Sequence, residues 1–158
     1  MTVRPATESD LDTIIELIRA LADYEREPDA VELDRETLRG HLFGPQPYAD
    51  VLMAETGEGA SAGFALFFHN FSTWKGRPGI YLEDLFVRPE FRGHGYGKAL
   101  LVELARIAVQ RGCARFEWSV LDWNEPSIAF YKALGAVPMD EWTTYRVTGD
   151  ALERLAEG

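Results

Sequence analysis

The stretch that most restricts this chain is residues 87–99, Val-Arg-Pro-Glu-Phe-Arg-Gly-His-Gly-Tyr-Gly-Lys-Ala. An apolar, strand-like run ends at Val87, glycines alternate at 93, 95 and 97, and a helical apolar pattern begins at once. The first amides of a helix lack intrahelical acceptors and align with the positive end of the helix dipole. Glycines let an oxyanion approach those amides with no Cβ in the way. The turn therefore predicts binding of a pyrophosphate or a similar anion. Two familiar phosphate loops do not fit. G-x-x-x-x-G-K-[ST] fails because Ala99 follows Lys98 and the residue five before Gly97 is Arg92. G-x-G-x-x-G fails because its last position falls on Lys98 or Leu100. The pattern present is R-x-x-G-x-G, from Arg92 through Gly95 and Gly97.

Around this turn the periodicity alternates between strand and helix. Residues 2–6 read as a first strand. A capped helix start at 7–10 precedes Leu11, Ile14, Ile15, Ile18 and Leu21 at helical spacing. Pro28 stops that helix, and a second is predicted over 34–42. Strands are predicted at 51–56, 63–69 and 80–87, with 70–79 as a loop because it holds Gly76, Pro78 and Gly79. A helix over 98–110 ends at Gly112, and a strand follows at 115–121. Asn124, Glu125 and Pro126 open a helix to 132, Gly135 follows its end, and 142–147 reads as a last strand. This order predicts an α/β fold, a mixed sheet with packed helices, in a single domain over 1–158.

Charge narrows the partners. Lys and Arg number 16 against 26 Asp and Glu, a net charge of −10. That argues against nonspecific nucleic-acid binding and favours a small cationic partner. Residues 23–36 carry seven acids against two bases, whereas 88–111 carry five bases against two acids. Two ligands of opposite sign are one reading; two solvated helix faces are the other. Cys113 is the single cysteine, so no internal disulfide is expected, and it is expected to pack as a small apolar residue. His41, His69 and His94 have no metal-ligand spacing, so no metal is expected. No apolar run is long enough to span a bilayer and no signal-peptide core is visible, so no membrane partner and a cytoplasmic location are expected.

The R-x-x-G-x-G turn resembles the acetyl-CoA motif of the GNAT superfamily of N-acetyltransferases. The run Tyr81-Leu82-Glu83-Asp84-Leu85-Phe86-Val87 before it and residues 120–136 after it are similar to the diamine acetyltransferases, which include spermidine/spermine and thialysine enzymes. So are Leu21-Ala22-Asp23-Tyr24-Glu25 and residues 72–77. The resemblance implies a sheet splayed in the middle, with acetyl-CoA as cosubstrate in the splay and a homodimer as the assembly. It implies that Leu85, Phe86 and Val87 pair their backbone with the pantetheine arm. Arg92, Gly93, His94, Gly95, Tyr96, Gly97 and Lys98 would form the pyrophosphate site. Asn124, Glu125, Pro126 and Ser127 would flank the donor near its thiol. Tyr131 matches the general acid. Tyr24, Glu25, Glu117, Trp118 and Ser119 match substrate positions, and Asp140 or Glu141, ahead of Trp142, would add another carboxylate.

An aliphatic amine has an unperturbed pKa near 10.4, so at pH 7 roughly one molecule in two to three thousand is a free nucleophile, a handicap of roughly 4–5 kcal/mol. A base must remove that proton. Glu83 is the candidate, through a water; its alternative role is to bind the cation. Asp84 is adjacent and is also expected to bind substrate, although in a regular strand it faces the opposite side. Residues 72–77 and 121–124 resemble the thialysine branch, whereas Asn124-Glu125-Pro126-Ser127-Ile128 resembles the polyamine branch. An enzyme for another amine and a noncatalytic sensor of coenzyme A or polyamine are the rival readings.

Overall fold

Apolar residues on alternate positions give the sheet two faces, and helices cover both. The computed structural model describes residues 1–158 and divides into two compact units, Met1–Leu121 and Asp122–Gly158. The first unit holds β1 (Thr2–Pro5), α1 (Leu11–Tyr24), α2 (Arg35–Phe43), β2 (Asp50–Glu55), β3 (Ser61–Ser72), β4 (Arg77–Val87), α3 (Tyr96–Gln110) and β5 (Phe116–Trp118). The strands lie in the order β1-β2-β3-β4-β5. The first four are antiparallel neighbours, and β5 runs parallel to β4. The sheet is therefore mixed, as the sequence predicts.

One face carries Val51, Met53, Phe64, Leu66 and Phe86 against Ile14, Leu17 and Leu21 of α1. The other carries Leu52, Ala65, Phe67, Ile80 and Leu82, all buried, and α3 packs on the sheet through its buried Leu100, Leu101 and Leu104. Gly112, with φ 69°, ends α3 in a Schellman motif: its amide donates to Val109 and that of Cys113 to Ala108.

The β3–β4 pair differs from the sequence expectation in two features. Residues 70–79 form the end of a long hairpin, with Phe71 opposite Pro78 and Ser72 opposite Arg77. Pro78 is tolerated because only its carbonyl is used, accepting from Ala114 at 2.8 Å. Gly79 is a close-approach residue: a Cβ there would stand 2.3 Å from Asn70 Oδ1. Turn-type composition at this site therefore marks crowded strands. The second difference is a β-bulge in β4. Leu82 faces Phe67 and Asp84 faces Leu66, so Glu83 is an extra residue.

The pairing of β5 with β4 covers only Ile80 to Leu82. Beyond Leu82 the two strands part, and β4 keeps a free edge. The Arg88 amide donates to Ala62 O at 2.8 Å, so Arg88 and Ala62 form a hydrogen-bonded pair. By antiparallel alternation the backbone of Phe86 also faces β3, and that of Leu85 and Val87 faces the free side.

The second unit holds α4 (Glu125–Ala133) and α5 (Gly149–Glu157). Asn124, buried, caps α4 by accepting from the Ser127 amide, and Gly135 closes it in a second Schellman motif. The strand expected at 142–147 is absent. Those residues have no ladder partner, and Trp142 and Tyr145 are exposed. Alternation there makes extended backbone amphipathic without supplying a strand to pair with.

Candidate active site

The bulge decides which side chains meet. Leu82 points to the α3 face with its partner Phe67, and Asp84 points to the α1 face with its partner Leu66. Glu83 lies between them, and the extra residue puts it on the same side as Asp84. The expectation that Glu83 and Asp84 face opposite ways is corrected on this ground. Glu25 follows directly after α1 and completes a group of three carboxyls. Burial and the Glu83 charge raise the Glu25 carboxyl. Asp84 is half-buried, and burial, then Glu83, then Glu25 push its carboxyl up to about 6. Glu83 itself is exposed.

The same face extends across β5. Tyr81 pairs with Glu117 and stacks at a tilt on Phe68, with ring centroids 5.3 Å apart. The Tyr81 hydroxyl shares a hydrogen bond with Ser119 Oγ at 2.7 Å. Glu117 is held by Arg115 at 2.8 Å and by Asn70 Nδ2 at 3.2 Å. Trp118 pairs with Leu82, which turns it to the opposite face, where its ring stands edge-on to Phe116 at 4.9 Å. Of the three neighbours expected at substrate, Glu117 and Ser119 share the carboxylate face and Trp118 does not. Tyr24, the last residue of α1, lies against Arg92.

Beside the carboxyls runs the free edge of β4, offering main-chain groups of Leu85 and Val87. Val87 O already accepts from Arg92 Nε at 2.9 Å. Phe86 has its backbone turned to β3 and its ring buried. The chain then turns at Gly93 and Gly95, with φ of 79° and 87°, which only glycine adopts without strain. His94 Nδ1 folds back to Arg92 O at 2.9 Å, and Tyr96 packs edge-on against Phe91. Gly95 caps α3, and its carbonyl accepts the first helical bond, from Ala99. The amides of Tyr96, Gly97 and Lys98 therefore have no acceptor within the helix. No acid occupies the first turn of α3, and Lys98 is exposed without an ion pair. Arg88, by contrast, is neutralised by Glu16 at 2.6 Å. A free strand edge leading to a bare helix N-terminus fits a ligand that combines amide groups with a diphosphate, as coenzyme A does.

The family model for the acetyltransferase (GNAT) family matches residues 12–136. The chain belongs to the GNAT family. Members of that family use acetyl-CoA, and the GNAT match covers both the carboxylate face and the glycine turn. Thialysine N-epsilon-acetyltransferase of Bos taurus is 41% identical over 98% of this chain and 96% of its own length. L-ornithine N5-acetyltransferase of Arabidopsis thaliana is 40% identical over 82% of this chain and 53% of its own. An integron cassette protein of V. cholerae has a solved structure that superposes with a TM-score of 0.81 at 28% identity, covering 99% of this chain and 98% of that one. This GNAT chain is an N-acetyltransferase.

Tyr131, Glu125, Pro126 and Ser127 lie on α4 in the second unit, with Asn124 at its cap and Asp140 exposed in a turn. Tyr131 stands near the end of α4, with its ring 5.7 Å from that of Phe130 and its carbonyl accepting from Ala136. One arrangement escapes sequence reading altogether. His69 accepts from Arg111 at 2.9 Å, and Cys113 Sγ lies 4.0 Å from His69 Nδ1. Cys113 thus has a polar neighbour that its place in the sequence does not suggest.

Proposed function

We propose that this enzyme moves the acetyl group of acetyl-CoA to a primary amine of a small diamino acid or diamine by direct attack. The observation that carries the proposal is the trio Glu25, Glu83 and Asp84 on one face of the β4 bulge, beside the free edge at Leu85 and Val87. Three mutually repelling carboxyls are relieved by a cation. An ammonium is that cation, and it becomes a nucleophile once deprotonated. The relatives named for thialysine and for ornithine support a substrate with a terminal side-chain amine.

In this proposal the main chain of Leu85 and Val87 and the amides of Tyr96, Gly97 and Lys98 hold the donor, with Gly93, His94 and Gly95 shaping the turn. Asn124, Glu125, Pro126 and Ser127 enter from the family resemblance alone. When bound, acetyl-CoA supplies an acyl group activated as a thioester. Asp84 takes the amine proton, directly or through a water. A carboxyl at about 6 stays ionised at pH 7 yet lies close to the working pH, which is what a general base needs. Glu83, the base favoured by sequence, and Glu25 hold the cation. By the same resemblance alone, Tyr131 supplies the proton that the departing sulfur requires, and a phenol and a thiol are near enough in acidity for that transfer. Tyr24, Tyr81 and Ser119 form the wall along which the rest of the amine lies, with Glu117 as an outer carboxylate. The homodimer implied by resemblance belongs to the same proposal, and sedimentation at micromolar concentration tests it.

The experiment is release of free thiol from acetyl-CoA with thialysine, ornithine, lysine, putrescine and spermidine. Amine-dependent release is expected, with the highest kcat/KM for one of the diamino acids. A preference for spermidine would favour the polyamine reading that residues 124–128 suggest. No release across the panel would leave a noncatalytic sensor.

A further inference from the structure

Arg92 heads the R-x-x-G-x-G motif, where an arginine is expected to face the anion. Its side chain goes elsewhere. The guanidinium carbon lies 5.0 Å from the centroid of the Tyr24 ring and 5.3 Å from that of Phe86. Its Nε donates to Val87 O at 2.9 Å. One planar cation thus touches the end of α1, the core face of β4 and the free edge of β4, while its own backbone begins the glycine turn.

We propose that Arg92 is a positioning residue that locks Tyr24 and Glu25 against the bulged edge of β4, so that the donor turn and the amine face are built as one piece. The role rests on the acetyl-transfer reading above. A guanidinium suits it because its faces stack on rings while its edge donates in plane, and an ammonium cannot do both. The stacking surfaces come from two elements far apart in sequence, so the cation ties them directly. Tyr24 is followed at once by Glu25, so displacing the ring displaces a carboxyl of the trio. The arrangement also consumes Val87 O, which leaves the Val87 amide and the Leu85 groups for a ligand on that edge.

The test compares wild type, Arg92→Gln, Arg92→Lys, Tyr24→Leu and the double variant Arg92→Gln/Tyr24→Leu. Three quantities are read: amine KM, the acetyl-CoA dissociation constant by calorimetry, and hydrogen exchange at the amides of Glu25, Arg26 and Glu27. These amides bond back to Leu21, Asp23 and Ala22. Arg92→Gln and Tyr24→Leu should each raise amine KM roughly five- to thirtyfold and speed exchange at 25–27 by a similar factor. On exchange at 25–27 the double variant should be no worse than the worse single one, because both remove the Arg92–Tyr24 contact that reaches that segment. Arg92→Lys should recover part of the loss, and acetyl-CoA affinity should move less than about twofold. The inference is overturned if Arg92→Gln weakens acetyl-CoA by about tenfold or more with amine KM unchanged. Multiplying effects of the double variant on exchange, or unchanged exchange at 25–27, overturn it too. Exchange does not depend on turnover, so a wild type silent toward every amine sinks the acetyl-transfer reading alone.

Discussion

Asp84 is the residue whose surroundings say most about its use. Its carboxyl is pushed up to about 6 by burial first and by Glu83 and Glu25 next. A folded-state value above the unfolded value near 3.8 means that the ionised form opposes folding. That opposition is absent below about pH 4, grows between about 4 and 6, and is complete above. Asp84→Asn should therefore raise the melting midpoint at pH 7–8, with the gain vanishing toward pH 4, as calorimetric scans across pH would show. The same substitution should lower kcat/KM for the amine roughly a hundredfold, and the acid limb near pH 6 should move or disappear. Tyr131→Phe should cut kcat by roughly 10²-fold or more while acetyl-CoA still binds, read by thiol release and calorimetry. Turnover near wild type would remove Tyr131 from proton donation. At this scale the types and places of Tyr24, Glu25 and Glu83 are legible in sequence. The partnership of Asp84 with them is not, because strand alternation assigns it to the other face and only the extra residue in β4 overrides that.

At the scale of elements, the glycine turn is the part that sequence reading reaches best, since a positive φ and a bare helix start need glycine wherever they occur. Gly95 caps α3 at φ 87°. Gly95→Ala should cost about 1–2 kcal/mol of stability through left-handed strain and weaken acetyl-CoA by roughly tenfold as its Cβ crowds the amides. Urea unfolding and calorimetry separate those two effects. Gly63 is a different case. Its missing Cβ would stand 2.3 Å from Phe86 O in the β3–β4 pair. Gly63→Ala should lose about 2–4 kcal/mol, seen as a lower urea midpoint, because main chain rather than a side chain must yield. The hairpin at 70–79 and the missing strand at 142–147 show what composition leaves out. Gly76, Pro78 and Gly79 look like loop residues whether a chain is turning or two strands are crowded together. Residues 142–147 alternate, but a strand also needs a neighbour, and a neighbour is a property of the whole sheet. The helix α5 is amphipathic, with Leu152 and Leu155 about one turn apart and both exposed, and the sequence expectation stops short of it.

For the whole molecule, the dominant physical quantity is the charge of −10. A field of that sign gathers small cations toward the carboxylate face and is screened by salt. The value of kcat/KM for a dicationic amine should fall severalfold between about 20 and 200 mM salt, while a monocationic amine should respond less. An equal response of both would place the attraction in local contacts alone. The mixed sheet and the order of the first four helices are foreshadowed by the periodicity along the chain, and GNAT membership by the residues from Tyr81 to Ala136. The free edge of β4 is not, because it depends on how early β5 leaves its partner. The most direct test of the site as a whole is a pair of amide chemical-shift titrations on the intact chain, with acetyl-CoA and then with ornithine. Perturbations should appear first at Leu85, Val87, Tyr96, Gly97 and Lys98, and next at Glu25, Glu83 and Asp84. Shifts confined to other surfaces, such as the His69, Arg111 and Cys113 corner, would contradict the account.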